Sequence, residues 1–357
     1  MPFPQDYGGA IDVFNKVKSL HAAGISIYLH CFTKGRKPAE TLNQFCKEVY
    51  YYPRNKFAFS YHLPYMVSSR NHKELLVNLS KDNHPVLFEG VQCSYLLYKD
   101  ALAGRKLFLR LHNVECNYYK KLAGYESNPA KKYFFNWQSR LLKKYETSIA
   151  NKAAVLAISE DDAAFYKKQF NAKQVFILPA FAGWEKLQGK EERGLFCLYH
   201  GNLAINENEK VAEWLIHIFK EIKIPLVIAG KNPANKLEKL IHHYPNTCLV
   251  KNPSDRELED LIQKAQVNVM PSFNNTGIKL KLVHALYSGK HCLVNAAAVA
   301  GSGLEELCTI AGNTGDFAEE AIKLYHLPFI KHEERELKLR SLYNNDLNAA
   351  RLIAWIY

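Results

Sequence analysis

Two hydrophobic rhythms alternate along this chain, and they change over about every ten to fifteen residues. Short apolar runs bounded by Gly, Pro, Asn or Asp read as strands, and apolar residues repeating every three or four positions read as helices. In the first half this predicts a helix over Ala10–Ala23 and strands over Ile25–Phe32 and Val49–Tyr52. A helix near Asn71–Leu79 and strands over Pro85–Glu89 and Lys106–Leu111 follow, then a long helix over Tyr133–Thr147 and strands over Ala153–Ser159 and Gln174–Leu178. The second half restarts with a strand over Leu195–Tyr199, a helix over Glu209–Ile222 and a strand over Pro225–Ala229. A helix over Ala234–His243, a strand over Cys248–Lys251 and a helix over Asp255–Ala265 come next. Strands alternating with helices imply parallel, doubly wound sheets.

The most informative stretch is Val269–Asn295, VMPSFNNTGIKLKLVHALYSGKHCLVN. It reads as a strand end, a polar loop, a helix over Ile278–Ser288 and a strand over His291–Asn295. Leu280, Val283 and Tyr287 share one helical face. Gly289 falls where a left-handed residue would stop the helix. Gly277 permits close backbone approach, and Lys279 and Lys281 add charge to the free N–H groups of the helix start, which makes an anion site. The competing reading is an ordinary strand–helix–strand unit with solvated lysines.

With 357 residues the chain is long for one core and sufficient for two. The expected division is an α/β domain over 1–181, a polar, glycine-punctuated linker over 182–194, a second domain over 195–330 and helices over 331–357. The two Rossmann-like halves are expected to face a cleft. Ser341–Tyr357 is apolar at helical spacing, so it either crosses back onto the first domain or closes the second.

A net charge of +12 implies an anionic partner. The charge is spread out and forms no basic arm, which argues against nucleic acid and leaves an acidic membrane surface or a diphosphate. No run is long enough to cross a bilayer and none resembles a signal peptide, so the expected place is the cytoplasm, with peripheral attachment to the inner face of the membrane as an option. Eight scattered cysteines form neither a metal pattern nor a disulfide framework, and they fit small buried hydrophobes.

TGIKLKLVHALYSGKHCLV is similar to the donor segment of retaining GT-B glycosyltransferases of family 4, with Ala285, Gly289, Lys290 and Val294 matching its tail. The similarity is nearest to a branch found in bacterial polysaccharide gene sets, which has G-x-K-x-K here. RLHNVECNYY (Arg110–Tyr119) resembles that branch's R-x-HN-x-E motif, Glu89-Gly90 its E-G, AISEDD its S-x-x-D, and His200-Gly201-Asn202 the first turn of its second domain.

The resemblance implies a hexosyltransferase that needs no metal or other cofactor. It would take a GDP- or UDP-linked sugar and a saccharide or lipid-linked acceptor. His112, Glu115, Lys279 and Lys281 are then the catalytic candidates. Gly8, Gly9, Gly201, Asn202, Lys231, Thr276, Gly277, Ile278 and His284 would hold the donor, and Glu89, Arg110 and Asn113 would face the acceptor. Three departures stand out. The family has a hydrophobic first strand before its paired glycines, and none precedes Gly8 and Gly9, so either the chain starts late, at an internal Met, or its sheet lacks one member. The family's two glutamates fall on Thr276 and His284, and the usual arginine and lysine after the HGN turn are absent. His284 either accepts ribose hydroxyls through a neutral ring nitrogen or is a core histidine. A catalytically silent scaffold and a nucleotide-sugar epimerase are the alternatives.

Overall fold

In the computed structural model, which describes residues 1–330 and 333–357, the chain divides into two compact units. Met1–Ala182 with Tyr343–Tyr357 form the first, and Gly183–Leu342 the second. All strand pairing is parallel, as the alternation of strands and helices requires.

The first unit contains β1 (Tyr28–Thr33), β2 (Glu48–Pro53), β3 (Val86–Glu89), β4 (Leu107–Arg110), β5 (Ala154–Ala157) and β6 (Val175–Ile177). They do not form one sheet. β1 pairs only with β2, and β3–β4–β5–β6 make a separate sheet in that order. Among the described residues, one edge of β1 and one edge of β3 are therefore without a strand partner. One core lies between the four-stranded sheet and the long helix Pro129–Ile149, around Leu109, Leu142, Ile149 and Tyr166. A smaller one joins Leu20, Phe108 and Leu156 to Ala349 and Leu352 of the last helix, Asn345–Ile356. Asn345 fastens that helix by exchanging two hydrogen bonds with the backbone of Ala182.

The second unit has a six-stranded sheet in the order β12–β11–β10–β7–β8–β9, over Phe196–Asn202 (β7), Leu226–Lys231 (β8), Thr247–Lys251 (β9), Ala265–Val269 (β10), His291–Val294 (β11) and Thr309–Ile310 (β12). Its main core packs Val211, Leu215, Ile218 and Phe219 of helix Asn206–Phe219 against β7, β8 and β10.

Three expectations need correction. The stretch expected to be a linker is strapped onto the second unit: Gln188 N–H donates to Tyr287 O, and Gly194 N–H to Gln266 Oε1. Only the last helix belongs to the first unit. The preceding one, Glu333–Leu342, stays with the second, where Arg335 donates to the Lys290, Ala285 and Gly289 carbonyls; Lys331 and His332 lie outside the described residues. Gly289 is extended (φ −99°), not left-handed. A Cβ there would stand 2.3 Å from Asn268 Nδ2, so closeness, not torsion, requires glycine.

All eight cysteines are free; Cys248 is exposed. No helix among the described residues is long and apolar enough to cross a membrane.

Candidate functional site

In a parallel sheet the strand ends that receive ligands are the carboxyl ends. The first unit gathers charge there. Gly8 and Gly9 open the helix Gly8–Ala22, which carries Asp12 and Lys16 one turn apart and buries both. Lys16 Nζ lies 2.8 and 3.0 Å from the Glu89 carboxylate oxygens and 3.5 Å from Asp12. His112, just past β4, is held between the same acids: Nδ1 is 3.6 Å from Asp12 Oδ2 and Nε2 is 3.5 Å from Glu89 Oε2. Burial raises the pKa of both acids, but Lys16 above all outweighs it and holds them below the usual range.

Asp12, Glu89 and His112 bring ligand-type atoms within 4.8 Å of one another. Lys16 already places a cation between the two carboxylates. The chemistry of this cluster is that of an internal ion pair around a fixed imidazole.

Arg110 turns away from solvent. Fully buried, it donates to the Ala157, Leu178 and Pro179 carbonyls and sits 3.6 Å from Asp12. It ties together the ends of β4, β5 and β6. Asn113 is half-buried and hydrogen-bonds Glu115.

Glu115 opens the helix Glu115–Tyr125 and is buried. The helix start is capped from afar by Glu146, which accepts the N–H groups of Glu115 (3.1 Å) and Cys116 (2.8 Å) and the Tyr166 hydroxyl (2.8 Å). Burial pushes the Glu115 carboxyl up to about 8, with the neighbouring Glu146 adding to the rise. Burial also lifts Glu146, to about 7, against the donors that favour its charge. Glu146 is therefore the more acidic of the pair, and Glu115 keeps its proton at neutral pH.

A group raised in this way contributes full stability below its ordinary pKa and loses it as pH climbs through 8. Glu115→Gln should then stabilise the protein at pH 8, by roughly 1–3 kcal/mol, and the gain should vanish near pH 5. Urea unfolding at the two pH values tests this; equal effects at both would show that Glu115 is not held protonated.

In the second unit, Gly201 and Asn202 end β7, and Lys231 pairs with Asn202 at the end of β8. The loop over residues 271–279 is braced by Glu207, whose Oε1 accepts Ser272 Oγ (2.8 Å) and Asn274 N–H (3.1 Å). Asn274 Oδ1 in turn accepts the amide and hydroxyl of Thr276 at 2.9 and 2.8 Å. Gly277 takes φ +65°, Ile278 is half-buried, and the helix begins at Leu280, two residues later than expected.

Lys279, at the cap position, folds back on the Thr276 and Gly277 carbonyls (2.6 and 3.1 Å). Lys281 lies 4.8 Å from the centroid of the Tyr199 ring, with Nζ 3.4 Å from Asn208 Oδ1. Asn208 also donates to Asn202 O, so the lysine, the turn and the helix start form one assembly. Burial brings Lys281 down to about 8.

His284 is buried, stacks on Trp184 (centroids 4.1 Å apart) and binds Glu259 Oε2 through Nε2 at 2.5 Å. Burial favours the neutral acid at Glu259, but hydrogen bonds led by that from His284 bring it down to about 2. Nε2 is committed to Glu259, so Nδ1 is the ring nitrogen turned away from that acid.

The sequence reading missed Asp12, Lys16, Glu207, Glu146, Glu259 and Trp184, and took Asn208 only as part of an N-x-x-x-A/E-W form with Trp214. Only Asp12 and Lys16 carried a local signal, two opposite charges one helical turn apart near the paired glycines.

Residues 195–326 match the family described as glycosyl transferases group 1. The chain is 27% identical to an uncharacterised 44.6 kDa protein in the cps region of Klebsiella pneumoniae, over 90% of this chain and 88% of that protein. A glycosyltransferase from Rickettsia africae has a similar structure, with a TM-score of 0.66 and 12% identity over 98% of this chain and 94% of that one. TarM is also similar (TM-score 0.60, 11% identity, 79% of this chain), although the chain spans only 57% of its length; a variant of S. aureus TarM has been solved with fondaparinux, α-GlcNAc-glycerol and UDP. The second unit therefore carries a glycosyltransferase group 1 domain, and the chain has the GT-B fold.

Proposed function

We propose that this protein is a retaining, metal-independent glycosyltransferase of the family 4 type. It would move a hexose from a GDP- or UDP-linked donor to a saccharide or lipid-linked acceptor during cell-surface polysaccharide assembly. One observation carries the proposal: the group 1 glycosyltransferase match spans the second unit from the HGN turn through Lys281 and His284. The cps-region relative supports the polysaccharide setting, and the UDP in TarM supports a nucleotide diphosphate donor.

The chemistry needs fixed positive groups where the diphosphate's charge grows. Lys281 and the free N–H groups at the start of helix Leu280–Ser288 supply them, and Lys279 joins once it releases its two carbonyls. The anomeric carbon–oxygen bond to the diphosphate breaks as the acceptor oxygen bonds to the same carbon from the same face. The leaving phosphate oxygen takes the acceptor proton. His112, fixed between Asp12 and Glu89, orients the sugar or the acceptor. Nδ1 of His284 accepts a ribose hydroxyl in place of the missing glutamate.

A thermal-shift panel of UDP, GDP, ADP and their sugar conjugates on the full chain tests the reading. A hundredfold excess of a true donor over its dissociation constant should stabilise by about 2.7 kcal/mol. One nucleotide family should shift the transition, and the shift should disappear in Lys279→Ala/Lys281→Ala. A well-folded protein that answers to none of them would overturn the enzyme. A shift without sugar turnover would favour a silent GT-B binding protein, the reading that Thr276 and His284 favour.

A further inference from the structure

Five arginines of the first unit are buried or half-buried: Arg36, Arg54, Arg70, Arg105 and Arg110. Three of them have an acid of their own. Arg36 grips Asp6 at 2.7 and 2.8 Å, Arg105 reaches Asp82 at 2.9 Å, and Arg110 stands 3.6 Å from Asp12. Arg54 and Arg70 have no carboxylate within ion-pair distance among the described residues.

These two are also neighbours. Arg54 follows β2 directly, and Arg70 follows the short helix Tyr65–Ser68. Asn55 N–H donates to Ser69 O (3.0 Å) and Arg54 Nη2 to Ser69 Oγ (2.9 Å), which locks the two segments side by side. Arg70 Nη1 donates to Met66 O at 2.6 Å. Those bonds explain why the segments stay together. They do not explain why two guanidiniums are packed there, because most of their N–H donors have no protein acceptor and Arg54 Nε is buried without any.

Burial, then the charge of Arg70, holds Arg54 below its ordinary pKa, so the pair is an electrostatic cost in the empty protein. The acid on which Arg70 acts does not relieve it. Arg70 acts on Glu115, yet burial and Glu146 outweigh that influence and leave Glu115 neutral at pH 7. Tyr119, on the same helix as Glu115, feels both arginines and completes the surround. Arg54 stands just past the carboxyl end of β2, and Glu115, on which Arg70 acts, lies three residues along the chain from His112.

We infer that Arg54 and Arg70 form a binding subsite for one acidic group, a carboxylate or a phosphate, carried by the acceptor. Two adjacent guanidiniums match the spread oxygens of either group, and a bound anion would cancel the charge that the fold leaves unbalanced. The assignment to the acceptor rests on the glycosyl-transfer reading; the anion site itself does not.

Ligand-observed NMR on the full chain tests it, with methyl glucuronide, glycerol phosphate and methyl glucoside as probes. Lys279→Ala/Lys281→Ala serves as background, so that the second unit's anion site is silent. At least one acidic probe should bind while methyl glucoside does not, and Arg54→Met and Arg70→Met should each weaken it tenfold or more. Binding of the glucuronide alone would indicate an acidic saccharide, and of the phosphate alone a phosphorylated acceptor. Equal signals from acidic and neutral probes, or binding that survives both substitutions, would overturn the subsite. Should a methionine variant not fold by near-UV circular dichroism, Arg54→Lys and Arg70→Gln carry the same test. Nucleotide titration of wild-type protein in parallel separates the two ideas, since its failure removes the donor site and leaves the arginine result standing.

Discussion

Lys281→Met should weaken binding of the donor nucleotide by 30- to 100-fold, the loss of one charge-assisted contact of about 2–3 kcal/mol. The same residue gives the wild-type protein a pH signature. Burial has already brought its pKa down to about 8, whereas a diphosphate beside it favours the ammonium. Binding above pH 8 must then draw a proton from solvent, and affinity should fall with rising pH by up to about tenfold per unit. Below pH 7 this group adds no slope. Lys281→Arg, whose charge persists, should remain flat across the range. Calorimetric titrations at pH 7, 8 and 9, in buffers of different ionisation heat, read affinity and proton uptake together. A wild-type affinity unchanged between pH 7 and 9 would remove Lys281 from the diphosphate.

Lys16→Met should destabilise the first unit by about 3–5 kcal/mol, although it preserves the length of the side chain. Lys16 and Asp12 are each 1% exposed, and the ammonium touches both Asp12 and Glu89. Its removal leaves buried carboxylates without their principal cation. Both acids are held below their ordinary range, so the stability they add is present above about pH 4 and lost as pH falls further. The cost of the substitution should therefore shrink in acid, where the orphaned carboxylates can take protons. Asp12→Asn in the Lys16→Met background should recover part of the loss, a coupling that a double-mutant cycle measures. A cost near zero at pH 7 would mean that the ammonium does not hold these acids together.

The order of strands and helices was legible because each apolar run is short, and the change of period marks its ends. Helix Leu280–Ser288 is a fair example: its apolar face was read correctly, and only its start was misplaced, because Lys279 bends back onto two loop carbonyls. Site chemistry was less legible. It depends on contacts between residues far apart in the chain, such as Glu259 with His284, Glu146 with the start of helix Glu115–Tyr125, and Lys16 with Glu89. Spacing along the chain says nothing about such pairs. Arg110 shows the same limit in reverse: its place at a strand end was right, but its side chain serves backbone carbonyls rather than solvent. The stretch over 182–194 looked like a linker because it is polar, and a polar strap held by backbone hydrogen bonds has the same composition.

The break in the first unit's sheet gives that unit a seam. β1 and β2 share one ladder with each other and none with β3, so opening them costs fewer cross-strand bonds than opening β4 or β5, which are paired on both sides. A two-stranded ribbon has little stability of its own and depends on the side chains packed over it. The pair should behave as a separate cooperative segment, whose amides trade hydrogen for deuterium well before global unfolding, while β4 and β5 stay protected almost to the end. Within the first unit, then, β1 and β2 should part before the middle of the four-stranded sheet does.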